Sequence, residues 1–509
     1  MDVFQAMAGV LNPTTLLFIL IGATVGELVG ILPGISSPAA VALLLPATYS
    51  LSPTDGLAML AGIWYGSSYG GIVTSVLLNI PGEGDSVIAT LDGYQMAQQG
   101  RGALALGVSA FGGFFAGTLA LIALQVVGPA VAAMAVRFGP QELFALMFFG
   151  LAIVSWLSGK SIVKGMISCG LGLIIGTVGM DIVSGESRLT FGVTDLIDGI
   201  GFVPAVVGLF GLGEILHTVG EKLDVGARAH FSVRGLLPKA GEWSPSIWSS
   251  LRGMVVGFFA GAIPGVGPTN ATFISYALEK RISRTPEKFG GGALEGVAGP
   301  GAAGHSGTIA GMVPLLSLGI PASGTAAVLM GGFIIHGLFP GPLLYKEHPE
   351  IVWGLIGSLW AANVMLVLMN TLLIPVLVWM VEIAKPYIAP LIGVLTLIGA
   401  FSLHNNPFDI WLAIGFGILG WVFRVGGFPL APMVIALVLG RKAETGLRQS
   451  LMLSGGDFSV FFTRPVSAVL MVMAILVLVG PLLGAMTRAV RASMSHPVGY
   501  AEGGHNTVE

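Results

Sequence analysis

Long apolar runs dominate this sequence, and polar residues gather in short stretches between them. A helix needs about 20 apolar residues to cross the hydrocarbon core of a bilayer. The runs therefore predict roughly ten to twelve membrane-crossing elements, with re-entrant pieces where Pro and Gly interrupt the pattern. The runs that reach or approach this length lie near 14–32, 57–80, 103–136, 142–157, 161–183, 201–219, 351–383, 387–403, 408–424 and 465–487.

Two kinds of Pro-Gly-type break recur in the chain and indicate an internal repeat. Gly30–Ile35 (GILPGI) matches Gly261–Val266 (GAIPGV) 231 residues later. Asn79–Gly82 (NIPG) matches Gly319–Ala322 (GIPA) 240 residues later. Similar offsets in the same order predict two homologous halves, each with two breaks.

Basic residues are distributed unevenly and suggest how the halves are oriented. The first 100 residues contain no Lys or Arg, whereas basic residues flank the second copy of the first break at 222–239 and 280–288. Short basic loops stay in the cytoplasm. If both are cytoplasmic, 253–278 is a hairpin bent at Pro264-Gly265, its counterpart at Pro33-Gly34 opens to the other side, and the repeat is inverted. The alternative is that 253–278 spans the membrane with a kink.

We therefore predict an all-α polytopic membrane protein with broken and re-entrant helices in two inverted repeats. The predicted parts are a first transmembrane half (1–219), a basic cytoplasmic linker (220–247), a second transmembrane half (248–490) and a polar tail (491–509). The N-terminus has no basic stretch before its first apolar run, so we expect the first helix to insert and remain.

Composition excludes several classes of protein. Hydrophobic residues make up 54% of the chain and charged residues 10%, whereas soluble domains carry about 25% charged residues. The chain therefore needs a lipid bilayer around it. A net charge of −3 gives no argument for nucleic-acid binding, and the single cysteine, Cys169, excludes an internal disulfide or a multi-cysteine metal site.

Broken helices at matched positions of two halves are the strongest sequence signal for a transport site. The N-terminus of each half-helix offers free N–H groups that suit a carboxylate, and the C-terminal carbonyls suit a cation. Small polar residues at the breaks can bind substrate or simply cap the following helix, and both interpretations stay open. The candidate substrate-binding residues at the breaks are Gly34, Ser36, Ser37, Asn79, Pro81, Gly82, Ser86, Gly265, Thr269, Asn270, Pro321, Ser323 and Thr325.

A few ionisable residues near the breaks are further candidates. His305 lies in a Gly-rich run and is added to the substrate-binding set, with a purely structural role as its alternative. Glu27 and Glu295 are candidates because an acid at membrane depth is functional by default. Glu83, Asp85 and Asp92 are expected in a solvated loop, with cation binding as the alternative.

The sequence lacks the motifs of several kinds of catalytic and nucleotide-binding site. Gly159-Lys160-Ser161 resembles the end of a phosphate-binding loop, but the glycine required five residues earlier is Val154. The histidines show no HExxH spacing, and no Gly-x-Ser-x-Gly elbow sits between a strand and a helix. We therefore expect neither an enzyme nor an ATP-driven pump, and no cofactor or metal.

Taken together, these motifs resemble the large membrane subunit of the tripartite tricarboxylate transporters. The matching segments of the first half are Gly30–Gly34, Trp64–Gly71, Leu78–Gly82 and Leu91–Tyr94, and those of the second half are Pro286–Gly290, Glu295–Val297, Pro314–Pro321 and His336–Pro342. The match covers nearly the whole chain and weakens toward its C-terminus.

The resemblance implies a multi-pass permease of the bacterial inner membrane. It implies a small membrane subunit and a periplasmic substrate-binding protein as partners, a small organic acid such as citrate as substrate, and sodium or protons as the coupling ion. The alternatives are a stand-alone organic-anion carrier, a channel and a membrane-embedded enzyme.

Overall fold

Regular structure in this protein is almost entirely helical. The computed structural model describes residues 3–32, 35–157, 161–181, 185–218, 235–239, 241–376, 390, 393–394, 396–402 and 405–494. Most of the predicted linker and most of the polar tail lie outside these residues. Within them, the strands are two short segments, Gly179–Met180 and Ser187–Arg188, which pair antiparallel. The predicted all-α class is confirmed.

The first half of the chain contains ten helices within the described residues. A π-helical turn at Val207–Leu212 joins the last two of them. Their bounds are α1 Val3–Ala8, α2 Pro13–Ile31, α3 Ser37–Leu44, α4 Pro53–Leu78, α5 Ala89–Gln98, α6 Gly102–Ala135, α7 Pro140–Leu157, α8 Ile162–Gly176, α9 Phe202–Val206 and α10 Gly213–Thr218.

The second half begins with α11 and repeats the interrupted pattern. A π-helical turn at Met369–Leu373 extends α17. The bounds are α11 Trp243–Ala262, α12 Gly267–Ile282, α13 Glu295–Ala310, α14 Met312–Leu318, α15 Gly324–Ile335, α16 Leu344–Glu347, α17 Pro349–Leu368, α18 Pro407–Val425, α19 Leu430–Leu453, α20 Val460–Thr463 and α21 Pro465–Met494.

Four helical segments in the described residues are long and apolar enough to cross a membrane unaided. They are Pro13–Ile31, Gly102–Ala135, Pro349–Val376 and Pro407–Val425. Other apolar helices, such as Gly324–Ile335, are shorter. Length is not the only criterion: the long helix Pro53–Leu78 is not among the four, because its Gly, Ser and Tyr residues lower its mean hydropathy.

The second break of each half has the same backbone geometry. Asn79 ends α4 with φ 59°, and Gly319 ends α14 with φ 67°, both in the left-handed region. In each case the next amide reaches back six residues, from Ile80 to the Thr74 carbonyl at 3.4 Å and from Ile320 to the Pro314 carbonyl at 3.1 Å. This cap satisfies carbonyls that the helix end would otherwise leave bare.

Two helix pairs pack backbone against backbone, one in each half. A Cβ on any of six glycines would collide with a carbonyl group of the partner helix, so only glycine permits this approach. The partner residue advances along its helix with each glycine, so both pairs run parallel. The contacts are Gly22 with Met59, Gly26 with Ile63 and Gly30 with Ser67 between α2 and α4, and Gly253 with Gly299, Gly257 with Ala303 and Gly261 with Gly307 between α11 and α13.

α11 and α12 form the hairpin that the basic loops predicted. Arg252 of α11 donates two hydrogen bonds to Glu279 of α12, at 2.8 and 2.6 Å. Both residues lie more than ten positions from the bend, where Gly265 has φ 84°. The two helices are therefore antiparallel, and 253–278 is not a single kinked span.

The first half contains a corresponding return of the chain. The Thr15 hydroxyl donates to Asp55 at 2.5 Å, so α2 and α4 begin side by side. Because they also run parallel, the segment that contains α3 must lead back along α2 before α4 can start. The bend itself, Pro33-Gly34, lies outside the described residues.

α6 packs against both halves and shows their relative direction. Tyr65 of α4 lies against Gly117 and Leu77 against Gly102, so α4 runs antiparallel to α6. His305 of α13 lies against Gly113, and the Ser317 hydroxyl of α14 donates to the Gly128 carbonyl at 2.8 Å, so these helices run parallel to α6. α4 and α13 therefore run in opposite directions. An inversion of whole halves across a bilayer remains a prediction.

The two ends of α6 define two ends of the bundle. Near its start, Arg101 pairs with Glu242 at 2.5 Å, and Gln99 donates to the Gly291 carbonyl at 2.9 Å. We call this the basic end, because it carries the loop segments 235–239, 241–242 and 283–292. Beyond its finish, Arg464 pairs with Glu142 at 3.2 Å. We call this the far end; it also carries the loop segments 177–181, 185–201 and 336–348.

We expect Gly26→Ala to destabilise the fold. The added methyl would press on the Ile63 carbonyl, a backbone group that cannot rotate away. Overpacking of this kind costs about 1–3 kcal/mol, so the thermal midpoint of the detergent-solubilised protein should fall. Gly415→Ala is the matched control, since a Cβ there meets nothing within 4 Å. Equal midpoints for the two variants would contradict the packing argument.

Thiol labelling should place both ends of the α11–α12 hairpin in the cytoplasm. In a Cys169→Ala background, Ser244→Cys and Glu287→Cys, both exposed at the basic end, should resist an impermeant thiol reagent added outside intact cells. Ser459→Cys, exposed at the far end, should react. Labelling of Ser244→Cys or Glu287→Cys from outside would overturn the orientation.

Candidate functional site

The breaks of the two halves surround a cavity of about 590 Å³. We call it the central cavity. Its wall includes Ser37 after the first break, Glu83 after the second, Gly265 at the third and Ser323 at the fourth. The described residues of the four breaks therefore lie around one space, and a substrate site there stays a prediction.

The segments around the cavity contact one another in a ring. The Ser37 hydroxyl donates to Glu83 at 2.5 Å, which joins the first break to the second. Gly84 lies against Thr269, which joins the second to the third. The Gly265 amide donates to the Ala322 carbonyl at 2.9 Å, which joins the third to the fourth.

The ring is closed where Gly324 lies against Pro38. Residues from both halves therefore build one wall around one space. Because each contact involves a break, the interrupted backbone faces protein or the cavity rather than lipid, as interrupted helices at membrane depth require.

Three helices present their first turns to the cavity. α3 contributes Ser37 and Pro38, α12 contributes Gly267–Asn270, and α15 contributes Gly324 and Thr325. Amide groups of a first helical turn have no partner within the helix and carry partial positive charge. Their convergence gives the cavity an anion-attracting wall without any cationic side chain, since no Lys or Arg is among its described lining residues.

Two acids lie in the same wall, and the expectation of a solvated loop was wrong for both. Glu83 accepts from Ser37, and Asp85 accepts from the Ser68 hydroxyl at 2.5 Å. The other oxygen of Asp85, Oδ1, has no hydrogen-bond partner in the described part of the chain. Both acids face the cavity because the short turn Gly84–Ser86 folds the chain inward after the break.

Behind this wall lies a buried aromatic group. His305 is fully buried and stacks on Tyr69 with ring centroids 3.9 Å apart. Its Nδ1 is 3.4 Å from the Ser68 hydroxyl, so it reaches the cavity only through Ser68 and Asp85. The structure therefore places His305 one layer behind the position that the sequence analysis gave it.

The predicted site residues divide into three groups. Six line the central cavity, one lies outside the described residues, and the other seven lie elsewhere in the protein. Those in the cavity are Ser37, Gly265, Thr269, Asn270, Ser323 and Thr325; Gly34 is not described; Ser36, Asn79, Pro81, Gly82, Ser86, His305 and Pro321 are not lining residues.

Contacts explain why some predicted residues do not reach the cavity. The Ser36 hydroxyl donates to Glu214 at 2.9 Å, and Glu214 also pairs with Arg424. Asn79 is exposed and serves as the left-handed end of α4. Ser86 is buried, where it donates to the Glu83 carbonyl and accepts from the Glu83 amide.

Capping accounts for part of the polar character inside the cavity. The Ser323 hydroxyl accepts from the Ala326 amide at 3.2 Å and caps α15. The Asn270 side-chain amide donates to the Val266 carbonyl at 2.7 Å. Both side chains still line the cavity, so Ser323 can cap α15 and Asn270 can bond to the backbone of its own helix while each also contacts a ligand.

Other acids near the breaks support the fold. Asp92 accepts from the amides of Gly290, Gly292 and Ala293, each at 2.8 Å, and so anchors the loop before α13. Glu27 is fully buried and accepts from Asn370 of the π-helical turn after α17. Among the described residues, no group of three or more His, Cys, Asp or Glu side chains could hold a metal ion.

Sequence reasoning missed Trp64, Ser68 and Phe273, which also line the cavity. Ser68 lies within Trp64–Gly71, a Gly- and Ser-rich stretch in the middle of the long apolar helix α4. A hydroxyl at that depth was a detectable signal, since polar side chains within a membrane helix need a partner.

Comparison with known proteins supplies the family. The profile of the tripartite tricarboxylate transporter TctA family matches residues 16–435. An uncharacterized 52.8 kDa protein in the TAR-I ttuC' 3' region of Agrobacterium vitis is 40% identical over 475 residues, covering 93% of this chain and 94% of the relative. No solved structure matches.

A second relative covers less of the chain. It is an uncharacterized protein in the TAR-II ttuC' 3' region of Agrobacterium vitis, 43% identical over 216 residues, or 42% of this chain and 89% of the relative. Profile, identity and coverage agree with the helical bundle and its paired breaks: the chain belongs to the tripartite tricarboxylate transporter TctA family, as a multi-pass membrane subunit.

Proposed function

We propose that the protein imports small organic carboxylates across the bacterial inner membrane, driven by a sodium or proton gradient. A periplasmic binding protein supplies the substrate, and a small membrane subunit completes the transporter. The observation that carries the proposal is the central cavity, where three helix N-termini, several hydroxyls and two acids meet between the halves.

The size and lining of the cavity suit a small anion. Its volume of about 590 Å³ falls within the range of about 300–1,000 Å³ that small-molecule sites occupy. An anion that leaves water needs replacement hydrogen bonds. The first-turn amides of α3, α12 and α15, with the hydroxyls of Thr269 and Thr325, supply them.

Glu83 and Asp85 supply the coupling. Two like charges about 4 Å apart repel by about 4 kcal/mol at an effective dielectric constant of about 20. A carboxylate substrate therefore binds well beside these acids only when a cation or a proton neutralises them. By linkage, the substrate strengthens cation binding to the same degree, so the two move together.

Stand-alone carriage and channel activity are the other candidates. A stand-alone carrier would transport without a binding protein, and a channel would equilibrate its substrate without accumulating it. The acids in the wall favour coupled transport over a channel, since negative charge in the wall of a passive pore would repel the permeating anion. The family is a transporter component, which argues against the third alternative, a membrane-embedded enzyme.

Neutralising the acids should uncouple or abolish uptake. We expect Glu83→Gln and Asp85→Asn to lower gradient-driven uptake about ten- to hundredfold, because hydrogen bonds to charged groups are worth about 1.5–3 kcal/mol. Uptake of labelled citrate, succinate, malate and tartrate into proteoliposomes with both partners present measures this. Asp457→Asn, an exposed acid at the far end, is the control.

The same assay can reject the proposal. Collapsing the sodium and proton gradients should stop accumulation by the wild-type protein. Uptake that survives this collapse but requires ATP would exclude secondary transport. Unchanged gradient dependence in both Glu83→Gln and Asp85→Asn would remove these acids from the coupling mechanism.

Two adjacent serines offer a matched test of substrate contact. Ser37 faces the cavity, whereas Ser36 faces Glu214 on the other side of the chain. We expect Ser37→Ala to raise the apparent KM about tenfold or more, because the cavity wall loses the hydrogen bond that holds the Glu83 carboxylate in position beside the substrate. Ser36→Ala should leave KM unchanged. Equal KM values for both variants, at equal expression, would assign Ser37 a capping role only.

A further inference from the structure

Two cationic residues on α19 stand between two further cavities at the far end of the bundle. One cavity, of about 570 Å³, lies beside Gly337–Leu344, and the other, of about 610 Å³, lies beside Ile200–Val203. Arg441 and Lys442 line both. We call these two spaces the outer cavities.

The two residues differ in what they already bind. Arg441 donates to the carbonyls of Gly176 and Val178, at 3.3 and 3.4 Å. Lys442 is half-buried and makes no hydrogen bond or ion pair with any residue that the structure describes. A partly buried ammonium group with three unused hydrogen-bond donors destabilises the fold unless an anion binds to it.

Lys442 also lies close to the central cavity along α19. Ile435, which lines the central cavity, lies seven residues before Lys442 on the same face of α19. Two helical turns separate them, or about 10 Å along the axis. Lys442 Nζ also lies beside Gly319, which begins the fourth break and so leads to Ala322 in the central cavity wall.

The described acidic residues that line the outer cavities do not pair with the Lys442 ammonium group. Glu347 lines one cavity and Asp198 the other. Neither is within ion-pair distance of Lys442 in the described residues. His348 lines the first cavity and is paired with Glu350 at 3.3 Å.

We propose that Lys442, assisted by Arg441, is a capture site for the carboxylate of the substrate at the outer face, from which the anion passes to the central cavity. It rests on the proposed function, since it names where the transported anion first meets positive charge. The far end lies opposite the basic loops, so the predicted orientation turns it to the outside. Among the described residues that line it, the central cavity has acids but no basic side chain, so a cation placed before it draws anions in.

A charge-selective labelling experiment tests the site without requiring transport. Thr445 lines the first outer cavity one turn beyond Lys442. In a Cys169→Ala background in nanodiscs, Thr445→Cys should react faster with a negatively charged methanethiosulfonate than with a positively charged one. Adding Lys442→Gln should lower the ratio of the two rates about five- to tenfold at low salt.

Lys346→Gln is the matched control. It removes an exposed lysine at the same end of the bundle and should leave the rate ratio unchanged. An unchanged ratio in Lys442→Gln would overturn the proposal. So would a Thr445→Cys thiol that reacts with neither reagent, because the cavity would then be closed to anions from outside.

A lipid headgroup presents similar anionic oxygens, and lipid composition distinguishes the two sources. Nanodiscs of phosphatidylcholine alone and nanodiscs containing phosphatidylglycerol should give the same rate ratio. A preference that phosphatidylglycerol abolishes would assign Lys442 to a lipid and overturn substrate capture.

Uptake kinetics supply the second readout. With the labelled acid that the wild-type protein transports among citrate, succinate, malate and tartrate, Lys442→Gln should raise KM about fivefold or more and leave kcat within about twofold. A fall in kcat with unchanged KM would contradict capture. If none of the acids is transported, the proposed function fails, while the labelling ratio still decides whether Lys442 attracts anions.

Discussion

A peptide group without a hydrogen-bond partner is expensive in hydrocarbon, and this constraint governs the structure. Each interrupted helix frees amides and carbonyls at its break. The chain satisfies them locally where it can, as in the left-handed caps of Asn79 and Gly319. The remaining freed groups face one shared space. Gathering the breaks around the central cavity is therefore both a requirement of stability in lipid and the origin of a polar site.

Close helix packing makes this gathering possible. The glycine contacts between α2 and α4, and between α11 and α13, hold each broken hairpin against a long partner helix. In lipid there is little hydrophobic gain from joining two apolar helices, so short-range packing carries much of the association. The same contacts fix how far each hairpin tip extends, and hence where Ser37 and Gly265 stand in the cavity wall.

Local chemistry explains which features could be predicted from the sequence. Pro264-Gly265 specifies a bend whatever surrounds it, and the flanking basic loops identified the hairpin. Asn79 could be matched to Gly319 because Asn tolerates the left-handed conformation better than most residues. Membrane helicity followed from composition and run length.

Features that depend on tertiary contacts could not be predicted in the same way. Glu83 and Asp85 look like loop residues until the turn after the break is seen to fold inward. His305 lies one layer behind the wall because Gly113 leaves room for its ring on the α6 side, which no linear pattern reveals. Ser36 and Ser37 are neighbours in sequence, yet only the packing of Glu214 shows that they face opposite ways.

The two hairpins differ in the length of their returning helices. α3 has 8 residues and α12 has 16, or about 12 and 24 Å of helix. A transporter alternates between conformations open to one side and to the other, and two equal hairpins would make these conformations nearly equal in energy. Unequal hairpins remove that degeneracy. If the protein alternates in this way, we expect its empty form to prefer one resting conformation, and ligands must then supply differential binding energy to shift the population.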